Sequence, residues 1–327
     1  MKRGRRLEKK RIYITRKLNE AVLAPYADLF EIRMWGKEEE PVPRDILLKE
    51  VKDIDGLFCM LSDKIDEELL QHAHNLKVVS NLAVGYDNID LEAASEHGVI
   101  ATNTPDVLTE TTADLGFALL MATARRIVEA NHYIKTNKWQ NWAPFLLAGA
   151  DIHHKTIGIV GMGRIGEAIA RRAKGFGMNI LYHNRSRKPA AEEELQATYV
   201  SFEQLIGEAD FIVSVVPFTP ETNKIFNKAA FEKMKQTAIF INISRGATVD
   251  EDALVEAIRT KTIKAAGLDV FEVEPITSDH PLMQLDNVVC IPHIGSASEE
   301  TRTEMIRLCM DNIAGVLSGT GAKTAIR

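Results

Sequence analysis

Short β-rich runs and longer stretches with helical spacing of apolar residues take turns along the chain, and this alternation predicts an α/β protein built on parallel sheets. The first runs fall at residues 11–15, 56–61, 76–80 and 99–102, each bounded by a helical or turn-rich segment. A second series occupies 156–160, 179–182, 211–215, 238–242, 265–269 and 288–291. Between the two series, residues 108–128 read as one long helix of good helix formers with an apolar stripe, followed by Lys138-Trp139-Gln140-Asn141-Trp142. A last helix is expected at about 299–317, after the second series, and is expected to pack back on the first. The expected fold is therefore two Rossmann-like, doubly wound parallel-sheet domains. Residues 1–104 plus 297–327 form a discontinuous, flavodoxin-like substrate domain, and residues 105–296 form a dinucleotide-binding domain.

The opening strand of the second series runs directly into Gly161-Met162-Gly163-Arg164-Ile165-Gly166, and a helical pattern follows from Arg164. A lone G-x-G-x-x-G is a weak signal, but strand, glycines and helix together form the dinucleotide fingerprint. Gly161 permits a tight turn, Gly163 lets the backbone approach a pyrophosphate, and Gly166 lets helix and strand pack closely. The phosphates are expected at the N-terminus of that helix, where free N–H groups and the dipole favour anions.

The next strand ends in Tyr182-His183-Asn184-Arg185-Ser186-Arg187, with no carboxylate before Glu192. An acid there would bind a ribose 2′-hydroxyl and repel a 2′-phosphate, whereas arginine and serine hold the phosphate. NADP(H) is the expected cofactor, with NAD(H) as the lesser one. The competing reading is a solvated basic turn.

Three polar residues, Arg245, Glu274 and His293, each stand just past a later strand. In an open parallel sheet, ligands bind outside the carboxyl ends of the strands, so these positions should converge on the dinucleotide. A guanidinium can bind a 2-keto acid's carboxylate and polarise its carbonyl. An imidazolium can donate the proton that the forming alkoxide requires, and a neighbouring carboxylate can orient the ring and favour its charged form. Any one of these residues alone reads more simply as a surface ion pair or a core histidine. Their shared placement favours catalysis.

Composition narrows the field. A formal charge of −6 argues against nucleic acid as the principal partner. Cys59, Cys290 and Cys309 lie in apolar runs without C-x-x-C spacing, which suggests free thiols in a reducing cytoplasm. His153 and His154 lack further ligands at metal-binding spacing, so no metal is expected. No apolar run reaches the roughly 18 residues a membrane span needs. The basic start, Met1 to Arg6, reads as a solvated tail because no apolar stretch follows it.

Several long stretches resemble the D-isomer-specific 2-hydroxyacid dehydrogenases, and within them the glyoxylate/hydroxypyruvate reductases. They are Asn81-Leu82-Ala83-Val84-Gly85-Tyr86-Asp87-Asn88-Ile89-Asp90, the glycine run, Asn242-Ile243-Ser244-Arg245-Gly246, residues 267–275, and Pro292-His293-Ile294-Gly295-Ser296-Ala297. The resemblance implies an NAD(P)H-dependent reductase of small 2-keto acids such as glyoxylate and hydroxypyruvate, with Arg245, Glu274 and His293 catalytic. It implies that Val84 and Gly85 bind the substrate carboxylate through their backbone, and that Leu61 shapes the pocket. It also places Thr109, Met162, Gly163, Arg164, Ile165, Asn184, Arg185, Ser186, Val216, Pro217, Thr222, Ile243, Ser244, Asp269 and Gly295 beside the cofactor. Asp269 is expected to receive the nicotinamide amide, with a buried helix-capping aspartate as the competing role. A homodimer is implied, with the helix from Leu108 and the Trp139/Trp142 segment as the arm and intramolecular packing of that arm as the alternative. Two other activities stay open at this point: a 2-ketogluconate reductase of the same family, and a dinucleotide-sensing regulator without turnover.

Overall fold

A computed structural model of the chain describes residues 9–326; the basic start at Met1 to Arg6 lies outside them. The strands are β1 (Lys10–Ile14), β2 (Phe30–Met34), β3 (Gly56–Cys59), β4 (Val78–Asn81), β5 (Ile100–Thr102), β6 (Thr156–Val160), β7 (Asn179–His183), β8 (Thr198–Tyr199), β9 (Phe211–Ser214), β10 (Ile239–Asn242), β11 (Ala265–Leu268) and β12 (Val288–Cys290). Four helices matter below: α1 (Thr109–Ala124), α2 (Ile127–Lys135), α3 (Arg164–Gly175) and α4 (Glu299–Ser318). The chain divides into two units. One runs up to Leu108 and resumes at Ser298, and the other is Thr109–Ala297.

The first unit holds a parallel sheet in the order β2-β1-β3-β4-β5, the flavodoxin-like order. Its central strands β3 and β4 are buried on both faces, as a sheet covered on both sides requires. Tyr13, Leu57, Cys59 and Val79 pack with Leu47, Val51, Leu69 and Leu70 on one side. On the other, α4 lies along β3 and β4, with Met305, Cys309 and Ile313 fully buried. That helix begins where the Ser298 hydroxyl accepts the Thr301 N–H at 3.2 Å and ends at Gly319 in the left-handed region. β2, which did not stand out in the sequence, is the outer strand, and only Phe30 of its five residues is buried. An edge strand has one neighbour and a wet face, so it carries a weaker apolar signature.

The second unit holds seven parallel strands in the order β12-β11-β10-β9-β6-β7-β8. Side chains alternate between its two faces: Ile157, Ile159, Val213, Ile239 and Ile241 join the core under α1 and α3, while Ile212, Phe240 and Leu268 join the opposite one with Phe226, Phe231 and Leu254. The order reverses direction between β6 and β9, which is where a ligand crevice opens in such sheets.

The helix expected across 108–128 is interrupted. Arg126 turns into the left-handed region at φ 52°, and α2 starts afresh at Ile127. The returning chain supplies the reason. Ala150 N–H donates to the Ala124 carbonyl at 2.8 Å, taking the acceptor that the next helical turn would have used. Arg126 then grips Glu129 through two hydrogen bonds, at 2.6 and 2.8 Å. Among the described residues, no helix is long and apolar enough to cross a membrane.

Candidate active site

β6 delivers the chain into Gly161, whose φ is 107°. A Cβ there would lie 2.8 Å from the Val215 carbonyl carbon, so only glycine lets the turn pass against the exit of β9. Asn184, just past β7, braces the same turn: its Oδ1 accepts the Met162 N–H at 2.7 Å and its Nδ2 donates to the Met162 carbonyl at 3.2 Å. The Met162 side chain is fully buried, and its N–H and carbonyl are both taken by Asn184. Gly163 is the N-cap of α3 and offers no capping side chain. A Cβ on Gly163 would meet nothing within 4 Å, so the space beside the first turn of α3 is open, as a pyrophosphate on its N–H groups requires.

Beyond Asn184 the basic run separates into two parts. Arg187 pairs with Glu192, which also accepts the Tyr182 hydroxyl at 2.6 Å. These bonds, Arg187 first, hold the Glu192 carboxyl down to about 2. Glu192 thus takes the last cation of the run, and Arg185 and Ser186 are the members left for a phosphate. After β9, Thr222 accepts the Thr219 N–H and donates to the Pro217 carbonyl, each at 2.8 Å, which fixes the loop carrying Val216 and Pro217.

Arg245, Glu274 and His293 follow β10, β11 and β12, three neighbouring strands. Glu274 Oε2 lies 2.8 Å from His293 Nδ1, and its Oε1 accepts the Phe271 N–H at 3.0 Å. Burial pushes the Glu274 carboxyl up, but the His293 hydrogen bond and charge, the Phe271 N–H and the charge of Arg245 outweigh it and hold it below the usual range. A carboxylate is therefore in place against one ring nitrogen. The other, Nε2, has no hydrogen-bond partner among the described residues.

The three loops are tied together from beneath. Buried Asn242 donates to the Arg245 carbonyl at 3.1 Å, and its own carbonyl accepts the Asp269 N–H at 2.9 Å. The Asp269 carbonyl accepts the His293 N–H at 2.9 Å, and its carboxylate takes the N–H groups of Ile294 at 2.7 Å and Gly295 at 2.9 Å. This clamp holds His293 in the left-handed region at φ 50°, a conformation that needs outside support in a residue other than glycine. Next to Arg245, Gly246 passes so close to Phe271 that a Cβ would stand 1.8 Å from its carbonyl carbon. Burial pushes the Asp269 carboxyl up to about 6, against the pull of the Ile294 N–H, the His293 charge and the Gly295 N–H.

The comparison with known families agrees with this arrangement. The description "D-isomer specific 2-hydroxyacid dehydrogenase, NAD binding domain" matches residues 117–295. A glyoxylate reductase of Pyrococcus horikoshii is 49% identical over 315 residues, which is 95% of this chain and 94% of that protein. The chain belongs to the D-isomer-specific 2-hydroxyacid dehydrogenase family. A second relative, a glyoxylate reductase of Thermococcus kodakarensis, is 47% identical over 97% of this chain and 96% of its own. Among solved structures, the NADPH-dependent glyoxylate/hydroxypyruvate reductase of Sinorhizobium meliloti, in complex with NADP and malonate, matches with a TM-score of 0.85 at 35% identity, covering 98% of this chain and 97% of that one.

As a member of this dehydrogenase family the chain is an oxidoreductase that uses a nicotinamide dinucleotide. The structure brings Arg245, Glu274 and His293 to one end of one sheet, together with the glycine turn, Arg185, Ser186, Val216, Pro217, Ile243, Ser244, Asp269 and Gly295. Thr109 opens α1 in the same unit. Leu61 follows β3, and Val84 and Gly85 follow β4, neighbouring strands of the first sheet. Sequence reasoning missed Asn242 and the bracing role of Asn184. An asparagine that ends a strand just before a charged loop was the available signal, but its partners are distant in sequence. Asp269 neither starts a helix nor stands alone; it caps the His293 turn.

Proposed function

We propose that this chain is a cytoplasmic, NADPH-preferring reductase of small 2-keto acids that converts glyoxylate to glycolate and hydroxypyruvate to the corresponding D-2-hydroxy acid. The observation that carries the reading is the 2.8 Å contact between Glu274 and His293 Nδ1, which leaves Nε2 to face a substrate. A dinucleotide-sensing protein has no use for a proton donor poised in this way.

The chain's own residues divide the work. Arg245 holds the substrate carboxylate with its planar fork and draws electron density toward the carbonyl oxygen. Leu61 and the Val84 and Gly85 backbone supply the substrate contacts of the first unit, the two backbone N–H groups serving the carboxylate. The dinucleotide, when bound, supplies a hydride to the carbonyl carbon. As the C=O π pair moves onto oxygen, His293 Nε2–H gives up its proton to that oxygen, and Glu274 steadies the imidazolium until it does. In the oxidative direction His293 takes the hydroxyl proton as a base.

The phosphate end rests on different groups. The N-terminus of α3 holds the pyrophosphate, and Arg185 and Ser186 take the 2′-phosphate. Asp269 would receive the nicotinamide amide. Support for a homodimer comes from the arm: Ile127, Val128, Ile134, Trp139, Trp142 and Phe145 are all exposed, with Phe145 at 87%. So much apolar surface on one projecting segment suits an interface core.

The deciding experiment follows NADPH and NADH oxidation with glyoxylate, hydroxypyruvate and 2-ketogluconate. We expect the two small acids to be reduced with the larger kcat/KM, and NADPH to outperform NADH. Rapid reduction of 2-ketogluconate with little of glyoxylate would move the substrate to the longer acid, and no oxidation with any of the three would remove the reading. Sedimentation as a monomer at micromolar concentration would dismiss the dimer.

A further inference from the structure

The reading of Val84 and Gly85 as carboxylate-binding backbone leaves a question that the first unit answers on its own. A turn binds an anion only if its N–H groups are held facing outward, and a glycine-containing loop has no intrinsic reason to hold them so. In this unit three successive carbonyls of the turn are each taken by a donor from the body of the fold. The Thr104 N–H donates to the Ala83 carbonyl at 2.8 Å, Asn103 Nδ2 donates to the Val84 carbonyl at 2.8 Å, and Asn81 Nδ2 donates to the Gly85 carbonyl at 2.9 Å. In a trans peptide the C=O and the following N–H point in opposite directions. Fixing these carbonyls therefore turns the N–H groups of Val84, Gly85 and Tyr86 away from the donors. None of the three has a protein acceptor among the described residues.

The asparagines are themselves anchored. Asn81 is fully buried, and its Nδ2 also donates to Asn88 Oδ1 at 3.0 Å; Asn88 in turn donates to the carbonyls of Met60 at 3.2 Å and Asp63 at 3.0 Å, joining the loop that carries Leu61. Asn103 is held through its main chain by the C-terminal segment. Thr324 Oγ1 donates to the Asn103 carbonyl at 2.6 Å, and the Asn103 N–H donates to the Thr324 carbonyl at 3.3 Å. Buried Asn312 of α4 closes the chain: its Nδ2 donates to Thr324 Oγ1 at 2.7 Å and its Oδ1 accepts the Thr324 N–H at 3.0 Å.

We propose that Asn103 and Asn81 are positioning residues for substrate, holding the Val84–Gly85 peptides with their N–H groups presented to a carboxylate, and that Thr324 and Asn312 extend this hold to the C-terminal segment. The proposal rests on the assignment of that turn to the substrate carboxylate. All the groups involved are neutral, so the arrangement presents N–H dipoles to an anion without any buried charge that must be balanced.

The test compares glyoxylate with its methyl ester in the full-length enzyme, using NADPH. The wild type should prefer the acid by a wide margin; equal use of acid and ester would remove the carboxylate assignment itself. Asn103→Ala should raise KM for glyoxylate and the inhibition constant of oxalate about tenfold, the loss expected of a hydrogen-bonded brace to an anion site. kcat should change by less than threefold, and KM for NADPH should stay within twofold. The acid-over-ester preference should fall by the same factor of about ten. An unchanged preference in Asn103→Ala, with the wild-type preference high, would overturn the positioning role and leave the carboxylate assignment standing. Equal losses for acid, ester and NADPH would mark a merely structural residue and also overturn it. Thr324→Val provides a milder variant, expected to shift the glyoxylate KM about threefold in the same direction. If Asn103→Ala does not yield folded protein, a wild-type KM in Thr324→Val decides against the proposal.

Discussion

The exits of β10, β11 and β12 and the exits of β3 and β4 are made of opposite materials. The second unit uses titratable side chains: a guanidinium, an imidazole and two carboxyl groups, tied together by Asn242 and Asp269. The first unit uses peptide groups, held in place by neutral amides. Charges give strong, directed chemistry but must be balanced where they are partly buried, which is why Glu274 stands against His293 and Asp269 against the following turn. Peptide dipoles are weaker, but they need only orientation. Chemistry that moves a proton belongs with the first kind of construction, and recognition of a fixed charge can be left to the second.

Breaking the charged side should have the larger consequences. His293→Ala should lower kcat by about 10²- to 10⁴-fold, the range for loss of a general acid, while a fluorescence titration still shows wild-type dinucleotide affinity. Turnover near the wild-type level would take the proton-donor role away from His293. Arg245→Lys should reduce kcat/KM for glyoxylate by roughly 10- to 100-fold, because an ammonium cannot reproduce the two-pronged contact. That loss should exceed the loss in Asn103→Ala; the reverse order, read from the same steady-state assay, would contradict the division of labour between the two regions.

Two smaller effects sharpen the comparison further. Glu274→Gln removes the carboxylate that holds His293 Nδ1, so kcat should fall about tenfold while dinucleotide affinity stays at the wild-type level. Wild-type kcat in that variant would show that Glu274 does not act through the ring. Asp269 has the smallest predicted effect. Its carboxyl is raised to about 6, mainly by burial, so the folded state binds this proton more readily than the unfolded chain, where an ordinary aspartate titrates near 4. The group's contribution to stability is therefore fully present below about pH 4 and is lost as pH rises through about 6. Activity should run the other way: as pH falls through about 6, protonation weakens the clamp on Ile294 and Gly295, and a modest loss of kcat, about threefold, should follow. Asp269→Asn should abolish that acid limb.

Much of the second unit was legible in the sequence for the same physical reason that its chemistry is strong. Gly161, Arg245, Glu274 and His293 each follow an apolar run that marks a strand, and their shared placement after strands is a pattern visible along the chain. The first unit was less legible. β2 alternates with solvent at a sheet edge and so carries half a signal, while Asn81, Asn88, Asn103 and Thr324 are common polar residues whose partners lie far away along the chain. The break between α1 and α2 belongs to the same class, since the donor that ends α1, the Ala150 N–H, lies well beyond the helix it stops.

The period of its apolar residues determined that this chain forms two wound parallel sheets, because strand and helix faces must be buried at spacings set by local geometry. Its glycines and charged strand-end residues determined the dinucleotide turn and the polar set beyond β10, β11 and β12 in the same way, as local requirements of backbone and chemistry. Which amide holds which carbonyl, which arginine of the basic run is taken by Glu192, and where the long helix stops were decided only by tertiary structure. A hydrogen bond between residues distant in sequence leaves no period and no motif; it exists only once folding has brought donor and acceptor within reach.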